Sequence, residues 1–306
     1  SPSSAASDVY KRQDNDYTGI TDVRSGNLAM LNDNVLGDTS ELKLTNDTGF
    51  DMRGHSQTIG ELTAESGSLT YLNGGHLTLL NGGESSGILA GEGELTVAGG
   101  PLNIQGANGG LSATTTIAQD AAVVLNDTLG LGTGDIITTG VLTLSNAAGV
   151  LYNNISDIGR VTLDASDVVL AGNNEQFSGV FDISEDSSLT ASAAQQLGTA
   201  DIQDAGNLIL STNENWVLGN TVTGSGDVTK NGAGTVTLGD GAQWTGTTNI
   251  NAGGLILGNS EAPLMLASSQ VNIGSNGKLS GYGGVAGNID NQGALVIGDY
   301  TGTKTM

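Results

Sequence analysis

The residues of this chain that could do acid–base or nucleophilic chemistry are few and scattered. The sequence holds two histidines, His55 and His76, and no cysteine. A Ser-His-Asp triad needs an exposed serine in a supporting turn, and neither G-D-S-G nor G-x-S-x-G occurs. His76 lies in GHLTLL at a position that alternates outward, and His55 lies in the loop-like segment RGHS. We therefore interpret both as solvated side chains rather than catalytic bases.

Carboxylates come close together in the sequence at Asp164 with Asp167 and at Glu185 with Asp186. Enzymes that cleave polysaccharides need paired carboxylates at a defined separation in one groove. Arg160 precedes the first pair, but no carboxylate cluster converges with an arginine in sequence. We interpret the acids as solvated residues at corners and predict that the chain is not an enzyme. A β-helical polysaccharide-degrading enzyme stays open as an alternative.

Sequence signals for metals and cofactors are weak. The sequence has neither H-E-x-x-H nor a cysteine cluster, so zinc is not expected. The G-G-x-G-x-D repeat of calcium-loaded β-rolls is missing as well. Glycine pairs of the G-x-G type occur at 224–226 and 232–234, but no strand–helix unit follows them, so they do not predict a phosphate site. The sequence predicts no catalytic residue, no metal and no cofactor.

The excess of acidic over basic residues limits the kinds of partner that the chain is expected to bind. Nine basic residues stand against 32 acidic ones, for a formal net charge of −23. Binding to nucleic acid needs clustered lysine and arginine, so nucleic acid is not an expected partner. No apolar run approaches the ~20 residues that a membrane-spanning helix needs. An acidic chain without cysteine fits an exported protein of a bacterial surface.

The elements that carry these residues are short strands separated by glycine. The chain has 49 glycines in 306 residues, and leucine, valine, isoleucine and threonine recur between them. These side chains favour strands, and glycine supplies the permissive backbone of a corner. Ten copies of a unit run glycine, polar, apolar, small, apolar. They are GNLAML (26–31), GSLTYL (67–72), GHLTLL (75–80), GELTV (93–97), GVLTL (140–144), GRVTL (159–163), GNLIL (206–210), GTVTL (234–238), GGLIL (253–257) and GALVI (293–297).

The spacing of these units indicates which fold they form. It is irregular, which argues against leucine-rich repeats with their strict period. The irregular spacing also argues against an antiparallel sandwich, in which two-residue hairpins of the Asn-Gly type should join strand pairs. A coil of three short strands tolerates unequal corners, and the alternating apolar residues point inward. The sequence therefore predicts an all-β, right-handed parallel β-helix of roughly a dozen coils, at ~22 residues per coil.

A longer unit begins at three aromatic residues, Tyr17, Phe177 and Trp244. The Tyr17 and Trp244 copies share Thr-Gly directly after the aromatic residue, then an apolar residue, a glycine and a leucine in the same register. The Tyr17 and Phe177 copies each reach a Leu-Gly corner, at 36–37 and 197–198. We expect the aromatic residues to stack against the adjacent coil, in preference to forming a sugar-binding platform.

This unit resembles the autotransporter-associated β-strand repeat of Gram-negative surface proteins. The best match is GSGDVTKNGAGTVTLGDGAQWTGTTNINAGGLILGNS at 224–260, where Trp244 replaces the usual tyrosine. The stretch 277–299 resembles the autochaperone region that ends such passenger domains. The repeat positions that we take as structural are Tyr17, Gly19, Gly26, Phe177, Gly179, Lys230, Gly232, Gly234, Trp244, Gly246 and Gly253.

The resemblance implies an organisation and a location. A β-helical passenger would be preceded by an export signal and followed by a C-terminal β-barrel translocator in the full-length protein, at the bacterial cell surface or secreted. Within this chain we expect residues 1–13 to be a tail or linker outside the fold. We expect residues 14–223 to be the β-helix body, and 224–306 to be C-terminal coils with the repeat and an autochaperone-like region.

Three functions follow as hypotheses. The first is a passenger that acts as a structural rod in adhesion, aggregation or biofilm formation. Its partners would be copies of itself on neighbouring cells, or host or abiotic surfaces. The second is a stem that binds nothing and supports a distal functional domain. The third is the polysaccharide-degrading enzyme.

Overall fold

The computed structural model describes residues 9–11 and 15–298 of the chain. It is an all-β solenoid of about 14 turns in which parallel strands stack coil upon coil. The predicted parallel β-helix is thereby confirmed, with slightly more turns than expected. The chain divides into two compact units, Ser1–Arg160 and Val161–Met306.

The strands of the first unit are short because a glycine or a tight turn interrupts each one. They are β1 (Val9–Lys11), β2 (Ile20–Val23), β3 (Gly26–Met30), β4 (Glu41–Leu44), β5 (Thr48–Asp51), β6 (Ser56–Ile59), β7 (Glu61–Ala64), β8 (Leu69–Tyr71), β9 (His76–Leu79), β10 (Gly83–Ser85), β11 (Ile88–Ala90), β12 (Glu94–Val97), β13 (Leu102–Ile104), β14 (Thr114–Ile117), β15 (Ala122–Leu125), β16 (Ile136–Thr138), β17 (Val141–Ser145), β18 (Ala148–Leu151) and β19 (Ile155–Ser156).

The later elements include one four-residue helix and two long strands. They are β20 (Arg160–Asp164), β21 (Asp167–Leu170), β22 (Val180–Ile183), β23 (Ser188–Ala191), α1 (Ala194–Leu197), β24 (Asp201–Asp204), β25 (Asn207–Ser211), β26 (Trp216–Leu218), β27 (Val222–Gly224), β28 (Asp227–Asn231), β29 (Thr235–Leu238), β30 (Ala242–Trp244), β31 (Thr247–Leu257), β32 (Leu264–Leu266), β33 (Gln270–Gly281), β34 (Gly283–Val285), β35 (Asn288–Asn291) and β36 (Ala294–Ile297).

Three parallel sheets form the walls of the first unit. Sheet 1 has the order β1-β3-β5-β8-β11, and sheet 2 has the order β19-β16-β14-β12-β9-β6. Sheet 3 runs β2-β4-β7-β10-β13-β15-β17 within this unit. Strands that are neighbours in a sheet are not neighbours in sequence, because the chain visits the other walls before it returns one coil later.

The second unit repeats this plan with longer strands near its end. One wall runs β22-β24-β27-β30. Another runs β21-β23-β25-β28-β31-β29-β26, because β31 pairs with β28 through its first half and with β29 through its second. Strand β33 pairs with β31, β35 and β36. Its register with β31 shifts at a bulge beside Ile250.

The core is a set of aliphatic ladders inside each unit. Alternate residues of the strands are buried, as in β4, β9, β14 and β15. Leu42, Leu77 and Val123 have no exposed surface. Each such side chain contributes roughly 1.5–3 kcal/mol of burial, so the stacking of coils, rather than any single coil, stabilises the fold.

The structure places a strand inside the predicted tail and another strand across the predicted boundary between residues 223 and 224. Within the expected tail, β1 pairs in parallel with β3, Val9 opposite Leu28, so residues 9–11 belong to sheet 1. The rest of that tail, and residues 299–306 of the expected C-terminal region, lie outside the described residues. Strand β27 spans the predicted division between 223 and 224.

Candidate functional site: repeat corners and outer faces

The three repeat aromatic residues occupy interior or half-buried positions. Phe177 and Trp244 have no exposed surface, and Tyr17 is half-buried. Rings enclosed in this way have no open face for a ligand, so Phe177 and Trp244 do not form a sugar-binding platform. The polar atom of a buried aromatic residue needs a partner, and here the residue four positions later supplies it.

The Tyr17 and Trp244 copies meet that need with hydroxyl chains. The Tyr17 hydroxyl lies 2.8 Å from Thr21 Oγ1, which lies 2.9 Å from Thr39 Oγ1 on the next coil. Trp244 Nε1 donates to Thr248 Oγ1 at 2.9 Å, and Thr248 Oγ1 lies 2.6 Å from Ser268 Oγ. Both chains therefore connect one coil to the next.

The Phe177 copy has no polar atom on its ring and no hydroxyl at the matching position. Phe181 stands there instead, and the two rings meet edge to face with centroids 5.0 Å apart and an interplanar angle of 69°. Edge-to-face pairs contribute about 0.5–1.5 kcal/mol beyond burial. The identity of the fourth residue thus follows the chemistry of the aromatic residue.

Several of the predicted glycine positions lie where neighbouring coils come close. A Cβ on Gly246 would lie 2.1 Å from the Gly226 carbonyl oxygen, and one on Gly234 would lie 2.1 Å from the Glu214 carbonyl oxygen. Not every predicted glycine is enclosed in this way, since a Cβ on Gly19 would meet nothing within 4 Å. Gly26 and Gly232 have positive φ, the Gly19 carbonyl accepts a hydrogen bond from Ser40 N, and the Gly179 carbonyl accepts one from Asp201 N.

Lys230 is a fully buried lysine inside the second unit. Its Nζ donates to the carbonyl oxygens of Asn231 and Gly232 at 2.8 Å and of Ala252 at 3.1 Å. These three bonds use all the donors of the ammonium group. Burial lowers the pKa of Lys230 to about 8. Gly253 lies against it with φ +68°, and a Cβ there would lie 2.8 Å from Nζ.

Asp204 is a buried acid that sequence analysis did not single out. Its Oδ1 accepts a hydrogen bond from Gly206 N at 3.0 Å, and its buried Oδ2 has no hydrogen-bond partner in the structure. Burial raises the pKa of Asp204 to about 7, opposed by backbone donors and assisted by the nearby charge of Asp227. The alternation of β24 places Asp204 on the same inward side as Ile202, which is the one sequence signal that could have identified it.

Buried side-chain amides stabilise the Leu-Gly corners, and sequence analysis missed them too. Gln57 accepts from Leu36 N at 3.0 Å and donates to the Gly37 carbonyl at 3.1 Å. Asn220 donates to the Gly198 and Ala200 carbonyls at 3.2 and 2.8 Å. A buried carbonyl without a partner is costly, so an amide one coil after a Leu-Gly pair is the signal to seek.

The histidines lie on outer faces or turns. His76 Nε2 lies 2.8 Å from Thr96 Oγ1, and His76 Nδ1 lies 3.3 Å from Glu94 Oε2. This order of hydroxyl, imidazole and carboxylate resembles a hydrolytic triad. However, β12 pairs with β9 and β14 on both sides, so its backbone N–H groups serve the sheet and cannot form an oxyanion hole. His55 contacts Asp33 at 3.3 Å, where hydrogen bonds from Ser56 and then His55 lower the Asp33 pKa.

The paired carboxylates of the sequence lie at exposed positions. Asp164 and Asp167 flank the turn between β20 and β21, and Asp167 Oδ1 accepts a hydrogen bond from Ser188 Oγ at 2.7 Å. Glu185 and Asp186 occupy the exposed turn before β23. Over the described ranges, 9–11 and 15–298, no three His, Cys, Asp or Glu side chains come together in a way that could hold a metal ion.

Two curated proteins of Escherichia coli strain K12 are similar to this chain. One, named uncharacterized protein YuaQ, is 49% identical over 304 residues, which cover 95% of this chain and 22% of the relative. The other, named uncharacterized lipoprotein YdeK, is 41% identical over 278 residues, which cover 90% of this chain and 21% of the relative. The chain thus spans about a fifth of the length of these relatives.

No protein-family model matches the chain, and no solved structure matches it either. Among the residues that the structure describes, no helix has the length and apolar character needed to cross a membrane.

Proposed function

We propose that this chain is a structural segment of a longer bacterial envelope protein, an autotransporter-like passenger rod that acts in adhesion, aggregation or biofilm formation. The observation that carries the proposal is the use of the repeat residues. Lys230 and Gly253 contact the neighbouring coil directly, and Trp244 is linked to it through the hydroxyl of Thr248. Residues used in this way build a scaffold rather than a catalytic centre.

The relatives support the location. Both are several times longer than this chain, and one carries the name of a lipoprotein. A lipid anchor holds a protein at a membrane, which is consistent with the cell envelope. The acidic composition supports an exposed surface that stays soluble and does not bind nucleic acid.

A display experiment tests the proposal. The full-length protein is displayed on E. coli cells that do not aggregate, and settling and biofilm mass are compared with those of cells carrying the empty display vector. We expect faster settling or more biofilm, and a display variant that lacks 15–298 should lose the gain. Equal settling and equal biofilm in the displayed and empty strains would contradict the proposal.

A stem role is the second candidate, favoured by the pairing of β33. This strand pairs with three others at the end of the described chain, so the last coils are linked to one another by continuous backbone hydrogen bonds. If these coils support folding, deletion of 226–306 should cause misfolding or degradation of the passenger. Normal folding and secretion without them would refute the stem role.

A further inference from the structure

The outer face of sheet 1 contains a groove that the repeat does not explain. In this face Asn27, Gly49, Leu69 and Ile88 are register partners across four strands. Because Gly49 has no side chain, the Asn27 side chain lies across it, where a Cβ would overlap Asn27 Oδ1. A depression of about 190 Å³ lies beside this contact, and Asn27, Gly49 and Leu69 are among the residues that line it.

Two residues further along strands β5 and β8, the same face carries an aromatic side chain. Asp51 and Tyr71 are register partners on β5 and β8. The Tyr71 ring leans against Gly91 on the next coil, where a Cβ would lie 2.8 Å from the ring. Tyr71 is nevertheless 36% exposed, beside Leu69 at 42%. Support from Gly91 restricts the ring, so a ligand that stacks on it loses little conformational entropy of the protein.

The end of the groove holds ordered polar groups. The Asp51 carboxylate accepts hydrogen bonds from Arg53 N at 3.1 Å, Arg53 Nε at 3.2 Å and Asn73 Nδ2 at 3.2 Å. A carboxylate has about four acceptor sites and a guanidinium has five donors in a planar fork. The Arg53 side chain is 40% exposed and the Asp51 side chain 28% exposed, so both remain accessible to a ligand from solvent.

We infer that this groove binds a neutral oligosaccharide through one pyranose ring. The apolar C–H face of the ring would lie on Tyr71 and Leu69, and two adjacent hydroxyls would hydrogen-bond to Asp51 and Arg53. The charges favour a neutral glycan, because the one guanidinium is paired with Asp51 and the chain as a whole carries −23. The shallow, half-polar wall suits a sugar better than a lipid or an anionic polymer.

This inference names a partner chemistry for the proposed adhesion and rests on that proposal for its biological setting. Its test uses the purified chain in solution, so its failure can be distinguished from failure of the cell-settling assay. Cellohexaose, maltohexaose and N-acetylchitohexaose are titrated into the chain by calorimetry, with polygalacturonate as the anionic comparison. We expect at least one neutral hexasaccharide to bind and polygalacturonate not to bind.

Three variants locate the site. Tyr71→Ala and Arg53→Asn should each weaken binding by about tenfold or more, and asparagine tolerates the positive φ of 51° at position 53. Gly49→Val places a side chain where Asn27 Oδ1 lies, so it should push the Asn27 amide into the groove and abolish binding without removing any polar group. The matched controls are Tyr152→Ala, at an exposed tyrosine of the same unit, and Arg24→Asn, at the exposed Asp22–Arg24 pair.

The inference is overturned if no neutral hexasaccharide binds at millimolar concentration, or if the control variants weaken binding as much as the groove variants. It is also overturned if polygalacturonate is the ligand that binds. If Tyr71→Ala instead changes the sedimentation coefficient of the chain and leaves sugar binding unchanged, the face is a contact between copies and not a glycan site.

Discussion

Two regions of the second unit each bury an ionisable side chain, and they do so in opposite ways. At the Lys230 corner, three carbonyl oxygens surround the ammonium group. At the Asp204 corner, one carboxylate oxygen has no hydrogen-bond partner in the structure, and the acid Asp227 lies nearby. Burial disfavours the charged form of both groups, since it lowers the pKa of Lys230 and raises that of Asp204. The two corners differ in what depends on the side chain: three backbone carbonyls accept hydrogen bonds from Lys230, whereas one oxygen of Asp204 has no hydrogen-bond partner.

The largest effect that would test this comparison is the loss of the buried ammonium group. Lys230→Met removes all three hydrogen bonds and leaves the Asn231, Gly232 and Ala252 carbonyls without that partner. The Asn231 carbonyl keeps its hydrogen bond from Thr212 N, so we expect the free energy of unfolding to fall by about 4 kcal/mol, since each buried carbonyl that loses its donor costs ~1–3 kcal/mol. Urea unfolding followed by tryptophan fluorescence measures it. Lys278→Met, at a half-buried lysine of β33, is the control, and an equal cost in both variants would break the comparison.

The next effect concerns the acid. The pKa of Asp204 is raised from 3.8 to about 7, so the folded state binds a proton that the unfolded state has released. Stability from this group is complete below pH 3.8 and is lost as the pH rises through 7, with a slope of at most about 1.4 kcal/mol per pH unit. We expect Asp204→Asn to flatten that slope and to stabilise the chain at pH 8.

The control for that experiment is Asp201→Asn, at the exposed start of the same strand. We expect Asp204→Asn to change the pH dependence of unfolding more than Asp201→Asn does. If Asp204→Asn has the same slope as the unmodified chain between pH 4 and 7, the carboxyl at position 204 does not titrate in this range, and the two corners differ less than proposed.

The smallest effect is the rise in stability at alkaline pH. The pKa of Lys230 is lowered from 10.5 to about 8, so between these values the unfolded state binds more protons and stability rises with pH. Together the two groups place a minimum of stability between pH 7 and 8. Thermal unfolding at constant ionic strength from pH 4 to 10 measures it. A rise above pH 8 that persists unchanged in Lys230→Met would assign it to other groups.

Much of the fold was predictable from the sequence, because the residue pattern that makes coils stack is contained within each coil. Alternating apolar residues after glycine place one face inward, and this predicts the solenoid without knowledge of the partner coil. The sequence also predicted that the Leu-Gly pairs at 36–37 and 197–198 occupy the same place in their two copies of the repeat. In the structure, a Cβ on Gly37 would lie 2.8 Å from the Tyr17 carbonyl oxygen and one on Gly198 would lie 2.4 Å from that of Phe177.

The candidate sites were less predictable, because they depend on which residues of different coils become register partners. Leu28 pairs with Phe50, Phe50 with Thr70 and Thr70 with Leu89, so successive coils differ in length. With unequal coils, the sequence does not say that Gly49 lies between Asn27 and Leu69. The groove on sheet 1 was therefore absent from the sequence prediction, which weighed a sugar-binding platform at the repeat aromatic residues and preferred stacking against the adjacent coil.

The sequence by itself determined the parallel solenoid, the inward ladders and the shared position of Tyr17, Phe177 and Trp244, because side-chain alternation and glycine corners act within a single coil. Only the tertiary structure decided which polar groups are enclosed and which are exposed. Lys230 and Asp204 lie in similar-looking strands, but the carbonyls and glycines of adjacent coils surround one with acceptors and leave one oxygen of the other without a donor. Burial and hydrogen bonding of such groups depend on contacts between coils, and those contacts are set by a register that the sequence pattern leaves open.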